Sequence, residues 1–203
     1  MAIHGKLGAV YVPDTVEGTN VTGETFSGDD VTTTFTLANE YIKPNSETVT
    51  VDGTELNKGT DYKINYITGE ITFEVAPATG TDNVSVNYDY YSMSANCGFY
   101  DWSVNENGDA EEATTFCSDG AREYVPGLTD WDASASRYWL TDAKFHDFVG
   151  KPVVMVFYLD EDNAIRYEGW GIMTGVSTDV SVDSLIEESV DMQGSGNLVF
   201  RQA

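Results

Sequence analysis

Strict alternation of apolar and polar side chains is the feature of this chain that most restricts its fold. From Asp130 to Arg137 the two classes alternate, with Trp131, Ala133 and Ala135 on one face and acids and serines on the other. A period of two is the signature of a strand with one buried face. Short runs of this kind, separated by turn residues, fill most of the chain and predict a mainly β protein.

A single stretch has helical spacing. Phe145 recurs with Phe148 and Val149 at i+3 and i+4, Thr141 is a suitable N-cap, and Gly150 follows the last apolar position. These features predict one short α-helix over residues 141–149.

The first half of the chain divides by composition. Residues 5–12 read as a strand and residues 13–30, rich in Thr, Gly and acids, as a linker. From about residue 32 to 91, short strands follow one another closely, and Asp52-Gly53 is a strong signal for a two-residue hairpin turn. This stretch is predicted to be a compact β-subdomain. Its predicted core is Phe35, Val49, Val51, Ile64, Tyr66, Ile71, Phe73, Val84 and Val86.

The second half is again mostly strand. Residues 99–105 and 187–193 alternate, and residues 153–159 and 165–173 form a predicted hairpin with an acidic tip. The acidic stretch 106–112 contains Gly108 and is predicted to be a mobile loop.

The charge balance excludes several functions. The chain has 10 Lys and Arg against 34 Asp and Glu, a formal net charge of −24. Such a surface repels phosphate, so tight or sequence-reading nucleic-acid binding is not expected. Solubility, adaptation to salty surroundings, and passage of DNA without sticking all remain compatible with it. With no apolar signal region and no apolar run of membrane-spanning length, we expect a soluble cytoplasmic product without membrane contact.

Residues for catalysis are scarce. His4 lies near a terminus and His146 on the predicted helix, and neither context suggests a nucleophile–histidine–carboxylate arrangement. Cys97 and Cys117 lie in cation-poor, strand-like surroundings, which favour core packing over a reactive thiolate. Their spacing also fits a disulfide between neighbouring strands. We therefore expect no enzyme, no catalytic residues and no cofactor.

A metal site is not expected either. The stretch 160–163 partly resembles a calcium loop, but Ala164 stands at the fifth position and the central glycine and terminal glutamate are missing. A solvated hairpin tip is the favoured interpretation.

Several segments, in their order, resemble the major tail tube protein of long-tailed (siphovirus-type) bacteriophages. Residues 5–12 are similar to the opening strand and residues 97–104 to the first core strand. Residues 113–128 are similar to the loop and re-entry that follow. The strand 130–137, the short helix, the long hairpin, and residues 183–186 leading to 192–196 come next. The resemblance implies a tube core domain of residues 1–22 and 92–203, with 23–91 an inserted β-rich domain.

The resemblance further implies a β-sandwich or partial barrel with one flanking α-helix, assembling as hexameric rings stacked into a tube. Tape measure protein and other tail proteins would be partners. Genomic DNA would pass through without specific binding. The implied location is the virion tail, after assembly in the host cytoplasm.

Two sets of residues follow from that hypothesis. The predicted channel-lining residues are Asp101, Ser103, Asp130, Asp132, Ser134, Ser136, Glu187, Ser189, Asp191 and Gln193. The predicted inter-ring loop residues are Glu106, Asp109, Glu111 and Glu112. For each strand, an ordinary solvent-facing surface is the competing interpretation.

Other classes of function remain open. One is a carbohydrate- or calcium-binding β-sandwich module, in which Trp139, Tyr158, Tyr167 and Trp170 would form a sugar platform. Another is a phage head-decoration or baseplate protein.

Overall fold

The computed structural model describes residues 5–140 and 144–202. The strands are β1 (Ala9–Pro13), β2 (Thr19–Phe26), β3 (Thr34–Thr36), β4 (Thr48–Val51), β5 (Thr54–Glu55), β6 (Tyr62–Asn65), β7 (Glu70–Phe73), β8 (Val84–Tyr90), β9 (Met93–Ala95), β10 (Phe99–Glu112), β11 (Tyr124–Tyr138), β12 (Pro152–Asp160), β13 (Ile165–Asp179), β14 (Glu187–Gly194) and β15 (Val199–Arg201). Two 3₁₀ segments, Gly5–Leu7 and Lys144–Phe148, complete the elements. The prediction of a mainly β protein with a sandwich or partial-barrel sheet is confirmed.

The chain divides into two compact units, Met1–Val12 with Ala95–Ala203, and Pro13–Ser94. The sequence placed the division at 1–22 with 92–203, and 23–91. The predicted linker over 13–30 is wrong, because β2 lies within it and pairs with β8 from Thr19↔Tyr90 to Phe26↔Val84.

The first unit is built on a sheet in which its strands have the order β10-β11-β14-β13-β12-β1, with β15 also paired to β13. The sheet curls strongly. Trp102 on β10 and Phe157 on β12 are four strands apart in this order, yet their ring centroids lie 5.5 Å apart. The curl encloses a core that includes the buried run Val153–Phe157 together with Phe145, Phe148 and Met173.

Two local predictions in this unit need correction. The strand predicted from residue 5 begins at Ala9, because Gly5–Leu7 forms a 3₁₀ turn closed by the Gly8 amide donating to the Gly5 carbonyl at 3.0 Å. The predicted α-helix is a 3₁₀ segment over Lys144–Phe148, and Thr141, its predicted cap, lies outside the described residues. A 3₁₀ turn places residues three apart on one side, which is how Phe145 and Phe148 are both buried.

The second unit contains a four-stranded sheet, β2-β8-β4-β5, and a three-stranded sheet, β3-β7-β6. Asp52 and Gly53 both have positive φ, 50° and 77°, in the turn that joins β4 to β5. The buried cluster of this unit contains Leu37, Ile42, Val49, Tyr62, Ile71, Phe73, Val84, Val86 and Tyr88. The predicted core residues Phe35, Val51, Ile64 and Tyr66 pack against it and are partly buried.

Candidate functional site

A continuous polar surface covers one face of β10, β11, β14 and the C-terminal half of β13. The strand registers align its residues in rows. One row runs Asp101, Ser136, Ser189, Ser177, and the next runs Ser103, Ser134, Asp191, Gly175. A further row runs Asn105, Asp132, Gln193, Ile172, and Tyr138 aligns with Glu187 and Asp179. We call this surface the polar face.

All ten residues predicted to line a channel lie on the polar face. Asp130, paired with Asn107, lies just beyond the row at which β14 ends. The sequence missed Ser177 and Asp179, because the predicted strand stopped at residue 173. The alternation continues beyond that point, interrupted by a bulge between Met173 and Gly175.

Short polar side chains on neighbouring strands form hydrogen bonds with one another across this face. The Ser103 and Ser134 hydroxyls lie 2.9 Å apart, and those of Ser136 and Ser189 lie 3.1 Å apart. The Asn105 amide donates to the Asp132 carboxylate at 2.9 Å. Partial desolvation and a hydrogen bond with Glu187 raise the pKa of Tyr100, which stacks on Tyr138 with ring centroids 4.7 Å apart.

The charged side chains of the polar face are acidic. Among the residues that the structure describes, it carries no lysine or arginine. Its acids are Asp101, Asp130, Asp132, Asp179, Glu187 and Asp191. Such a surface attracts cations and offers no positive partner to a phosphate.

The opposite side of β11 and β14 is buried. Trp131, Ala133 and Ala135 are each at most 3% exposed, and Val190 and Met192 pack beside them. This side also contains an ion pair that the sequence interpretation missed. Arg137 Nε donates to Glu188 at 2.5 Å with both side chains fully buried, and the Arg137 guanidinium lies 4.4 Å from the Phe145 ring centroid. The sequence does contain a signal for this pair, because Arg137 occupies the next position on the apolar face after Ala135.

Two edges of the sheet that carries the polar face are unpaired. β10 pairs only with β11 on the described part of the chain. At the other side, β12 pairs with β13 only as far as Pro152↔Ile172, so within the described ranges the stretch 174–179 pairs with β14 alone. Unpaired strand edges are templates for further pairing.

Beyond the polar face, β10 and β11 continue as a two-stranded ribbon over residues 106–130. Pairing extends from Asn107↔Asp130 to Glu112↔Tyr124 with no third strand among the described residues. The predicted mobile loop over 106–112 is therefore a strand, and the turn lies over 113–123. The ribbon contains all four predicted inter-ring residues, Glu106, Asp109, Glu111 and Glu112. It also exposes apolar side chains, namely Phe116, Tyr124, Val125 and Leu128.

The remaining sequence candidates do not assemble into a site. Cys97 and Cys117 are free and exposed, so the prediction that they pack in the core is wrong. Cys97 precedes β10 and Cys117 lies in the turn at the far end of the ribbon, so the whole of β10 lies between them. His146 is about half exposed, with Nε2 3.9 Å from Glu188 Oε1, while His4 lies outside the described residues.

The acidic turn between β12 and β13 is held by hydrogen bonds among its own residues. Asp160 is buried and accepts hydrogen bonds from the backbone amide of Asn163 at 3.2 Å and from its side chain at 2.8 Å. No group of three or more His, Cys, Asp or Glu side chains that could hold a metal is found within residues 5–140 and 144–202. The helical segments in those same ranges are too short to cross a membrane.

The predicted sugar platform is not assembled. Trp170 is 7% exposed, and Tyr158 packs against Tyr11 with ring centroids 5.0 Å apart. Tyr167 packs against Phe200, which leaves Trp139 as the most exposed ring of the four.

Comparison with known proteins gives limited overlap. No protein-family profile matches the sequence. The uncharacterized protein MJ0340 of Methanocaldococcus jannaschii is 36% identical over 107 residues, which are 51% of this chain and 45% of that protein. The chain thus spans less than half the length of this curated relative.

Two solved assemblies contain chains with partial structural similarity. One is the tail of an empty gene transfer agent particle with C6 symmetry, with a TM-score of 0.45 and 15% identity, covering 54% of this chain and 86% of that chain. The other is the virion of a native gene transfer agent particle, with a TM-score of 0.45 and 16% identity, covering 54% and 88%.

Proposed function

We propose that this chain is a non-enzymatic structural subunit of a phage-type tail tube. The observation that carries the proposal is the polar face, a cation-free surface on a sheet with two unpaired edges. A monomer gains nothing from leaving both edges open, since exposed edges invite aggregation. Pairing β10 of one copy with residues 174–179 of the next satisfies both edges and makes the polar face continuous.

Repetition of this contact around a closed ring would give a barrel. Six copies, the number in the family that the sequence resembles, would contribute four strands each. A barrel of about twenty-four strands spaced about 4.8 Å apart has a backbone diameter of roughly 40 Å. The bore left by short side chains such as serine and aspartate would admit a DNA duplex.

The charge of the polar face supports the same function. DNA is held by proteins chiefly through lysine and arginine contacts with phosphates. A wall of carboxylates and hydroxyls has none of these contacts, so the genome would slide along it. Tape measure protein would occupy the same bore before DNA, and the assembled location would be the virion tail, built in the host cytoplasm without membrane contact.

The ribbon supports stacking of rings. A two-stranded ribbon is marginally stable alone in water, and this one exposes Val125 and Leu128. Packing against the neighbouring ring would cover these apolar side chains. The acids Glu106, Asp109, Glu111 and Glu112 lie along the same ribbon and would face that contact or its rim.

Cysteine cross-linking tests the ring. In a background with Cys97→Ser and Cys117→Ser, we would combine Ser177→Cys with Asp101→Cys, Ser103→Cys or Asn105→Cys in turn. Within one copy these positions are three strand spacings apart, about 14 Å, which is too far for a disulfide. One combination should give an oxidised ladder that ends at six copies. The pair Ser134→Cys with Ser177→Cys, in which Ser134 lies on an interior strand, is the control. Absence of a closed ladder from all three combinations would contradict the edge pairing.

Charge reversal tests the channel. Asp130→Lys, Asp132→Lys and Asp191→Lys together should leave tubes visible by negative-stain microscopy but make them retain DNA and slow its ejection. The matched control places lysine at three exposed acids away from the polar face, Asp147, Asp162 and Asp183. If both triple variants behave alike, the polar face does not line the channel.

A further inference from the structure

An apolar groove lies within the second unit, between the β4–β5 turn and the chain that follows β7. Its volume is about 290 Å³. Its apolar lining includes Val51, Leu56, Phe73 and Val75. Val75 is 81% exposed, which is unusual for valine in a unit with a well-packed core of its own. The polar face and the ribbon do not involve this groove.

The walls of the groove are held in place by hydrogen bonds. The Asp52 amide donates to the Asn83 carbonyl at 2.8 Å, and the Asn83 side chain donates to the Ala78 carbonyl at 2.9 Å. Across the groove, the Glu74 amide donates to the Asp61 carbonyl at 2.9 Å. Binding in a groove fixed in this way costs little reorganisation.

Three acidic residues also line the groove, Asp52, Asp61 and Glu74. Glu74 pairs with Lys63 at 2.7 Å, and Asp61 Oδ2 accepts from the Asn57 amide at 2.7 Å. The Asp52 carboxylate makes no hydrogen bond or ion pair with any residue that the structure describes. An apolar floor with a partly unused negative rim complements a ligand that is both apolar and positively charged.

The same features weigh against other ligand classes. Sugars stack on exposed aromatic rings, and Phe73, the aromatic ring in the lining, is 3% exposed. Nucleic acids and anionic membranes are repelled by a unit in which acids greatly outnumber lysines. A peptide satisfies both requirements, since an apolar side chain can enter the groove while a neighbouring lysine or arginine meets the rim.

We propose that this groove binds a short extended peptide segment of a partner protein, in which an apolar side chain adjoins lysine or arginine. The proposal does not rest on the tail tube function, because the groove and its rim belong entirely to residues 51–78.

Fluorescence anisotropy with the full chain tests the proposal. The probe is a labelled hexapeptide that alternates leucine and lysine, compared with a leucine–glutamate peptide and a glycine–lysine peptide. We expect the leucine–lysine peptide to bind at least about tenfold more tightly than either of the others. Equal binding of the two lysine peptides would mean non-specific attraction to an acidic protein and would overturn the proposal.

Variants locate the binding. Asp52→Asn with Val75→Ser should weaken binding of the leucine–lysine peptide about tenfold. Both changes are compatible with the fold, since asparagine tolerates the positive φ of Asp52 and Val75 is exposed. Glu70→Gln removes the same charge from an exposed site of this unit outside the groove and should change affinity less than about twofold. Unchanged binding to the double variant, or equal loss in the control, would place the peptide elsewhere.

Discussion

At the scale of single residues, two glycines determine where the Trp131 side chain lies. Its indole lies against Gly169 on β13 and Gly194 on β14, and its Nε1 donates to the Gly196 carbonyl at 3.0 Å. A Cβ built on Gly194 would lie 2.3 Å from the indole, and one on Gly169 would lie 2.5 Å from it. These glycines are therefore a slot for the ring. The sequence predicts Trp131 on the buried face but gives no sign of the slot, because its two glycines are 38 and 63 residues further along the chain.

We expect Gly194→Ala to lower the free energy of unfolding by about 1–3 kcal/mol, because the indole must move or the strands must separate. Gly175→Ala is the control, since a Cβ there meets Asp191 only at ordinary contact distance, 3.5 Å. Its effect should be below about 0.5 kcal/mol. Urea unfolding of the unmodified chain, Gly194→Ala and Gly175→Ala gives the comparison. Equal free energies of unfolding would show that Gly194 is not needed to accommodate the indole.

Three tyrosines make stability dependent on alkaline pH. A hydrogen bond to Glu161 raises the pKa of Tyr11 to about 12, and burial raises the pKa of Tyr62 and of Tyr88 to about 12. A folded pKa above the unfolded value near 10 means that folding favours the neutral phenol. This stabilisation is complete below about pH 10 and is lost as pH rises towards about 12.

Ultraviolet titration should therefore show tyrosinate forming in at least two steps in the folded protein and in one step after unfolding in urea. Tyr11→Phe should reduce the late step without abolishing it. A single folded-state transition near pH 10 for all twelve tyrosines would contradict the prediction.

At the scale of elements, the Arg137–Glu188 pair joins two strands and a 3₁₀ segment. The two residues are register partners on β11 and β14, Phe145 covers the guanidinium, and Arg137 Nη1 lies 3.5 Å from Asn96 Oδ1. Two charges taken out of water are tolerated only when each satisfies the other. We therefore expect the pair to disfavour any other register of β11 and β14, since a slip would leave a charge buried without its partner.

Removing one partner should be costly. Arg137→Met is expected to lower the free energy of unfolding by about 3–5 kcal/mol, because the Glu188 carboxylate would remain buried without its partner. Arg137→Met combined with Glu188→Leu should recover much of that loss. Arg122→Met is the control, since Arg122 is exposed on the ribbon and lies 3.7 Å from Glu112. Urea unfolding measures the stability of each variant. A double variant no more stable than Arg137→Met alone would contradict the coupling between the two residues.

Element existence followed from sequence more readily than element length. The alternation of 99–105, 130–137 and 187–193 predicts three strands and places the ten predicted polar residues on one face of each strand, because side-chain period depends on local geometry alone. The stretch 106–112 is predicted as a loop, since its charged residues and Gly108 resemble solvent-exposed coil. Its strand structure arises from pairing with residues 124–130, a long-range contact that no local pattern records. The prediction of an α-helix is wrong for a related reason, because Lys144–Phe148 forms a 3₁₀ segment in which Phe145 and Phe148, three residues apart, are both buried.

At the scale of the whole molecule, charge opposes the proposed assembly. Each copy carries a formal charge of −24, so joining copies brings like charges together. Backbone pairing at sheet edges and burial of ribbon apolar groups would have to outweigh that repulsion. Salt shortens the range of repulsion between exposed charges, from about 10 Å at 0.1 M to about 3 Å at 1 M, and leaves backbone hydrogen bonds and apolar burial largely intact.

We therefore expect the assembled fraction, measured by sedimentation velocity at fixed protein concentration, to rise as salt increases from about 0.02 M to about 0.5 M. Leu128→Ser, which removes an exposed ribbon side chain without touching the core, should reduce stacking of rings at every salt concentration. Asp162→Asn, at the exposed β12–β13 tip, is the control and should follow the unmodified chain. Contacts dominated by ion pairs would give the opposite trend, because salt weakens them. A fall in assembly with rising salt would therefore contradict pairing through strand edges and apolar ribbon contacts.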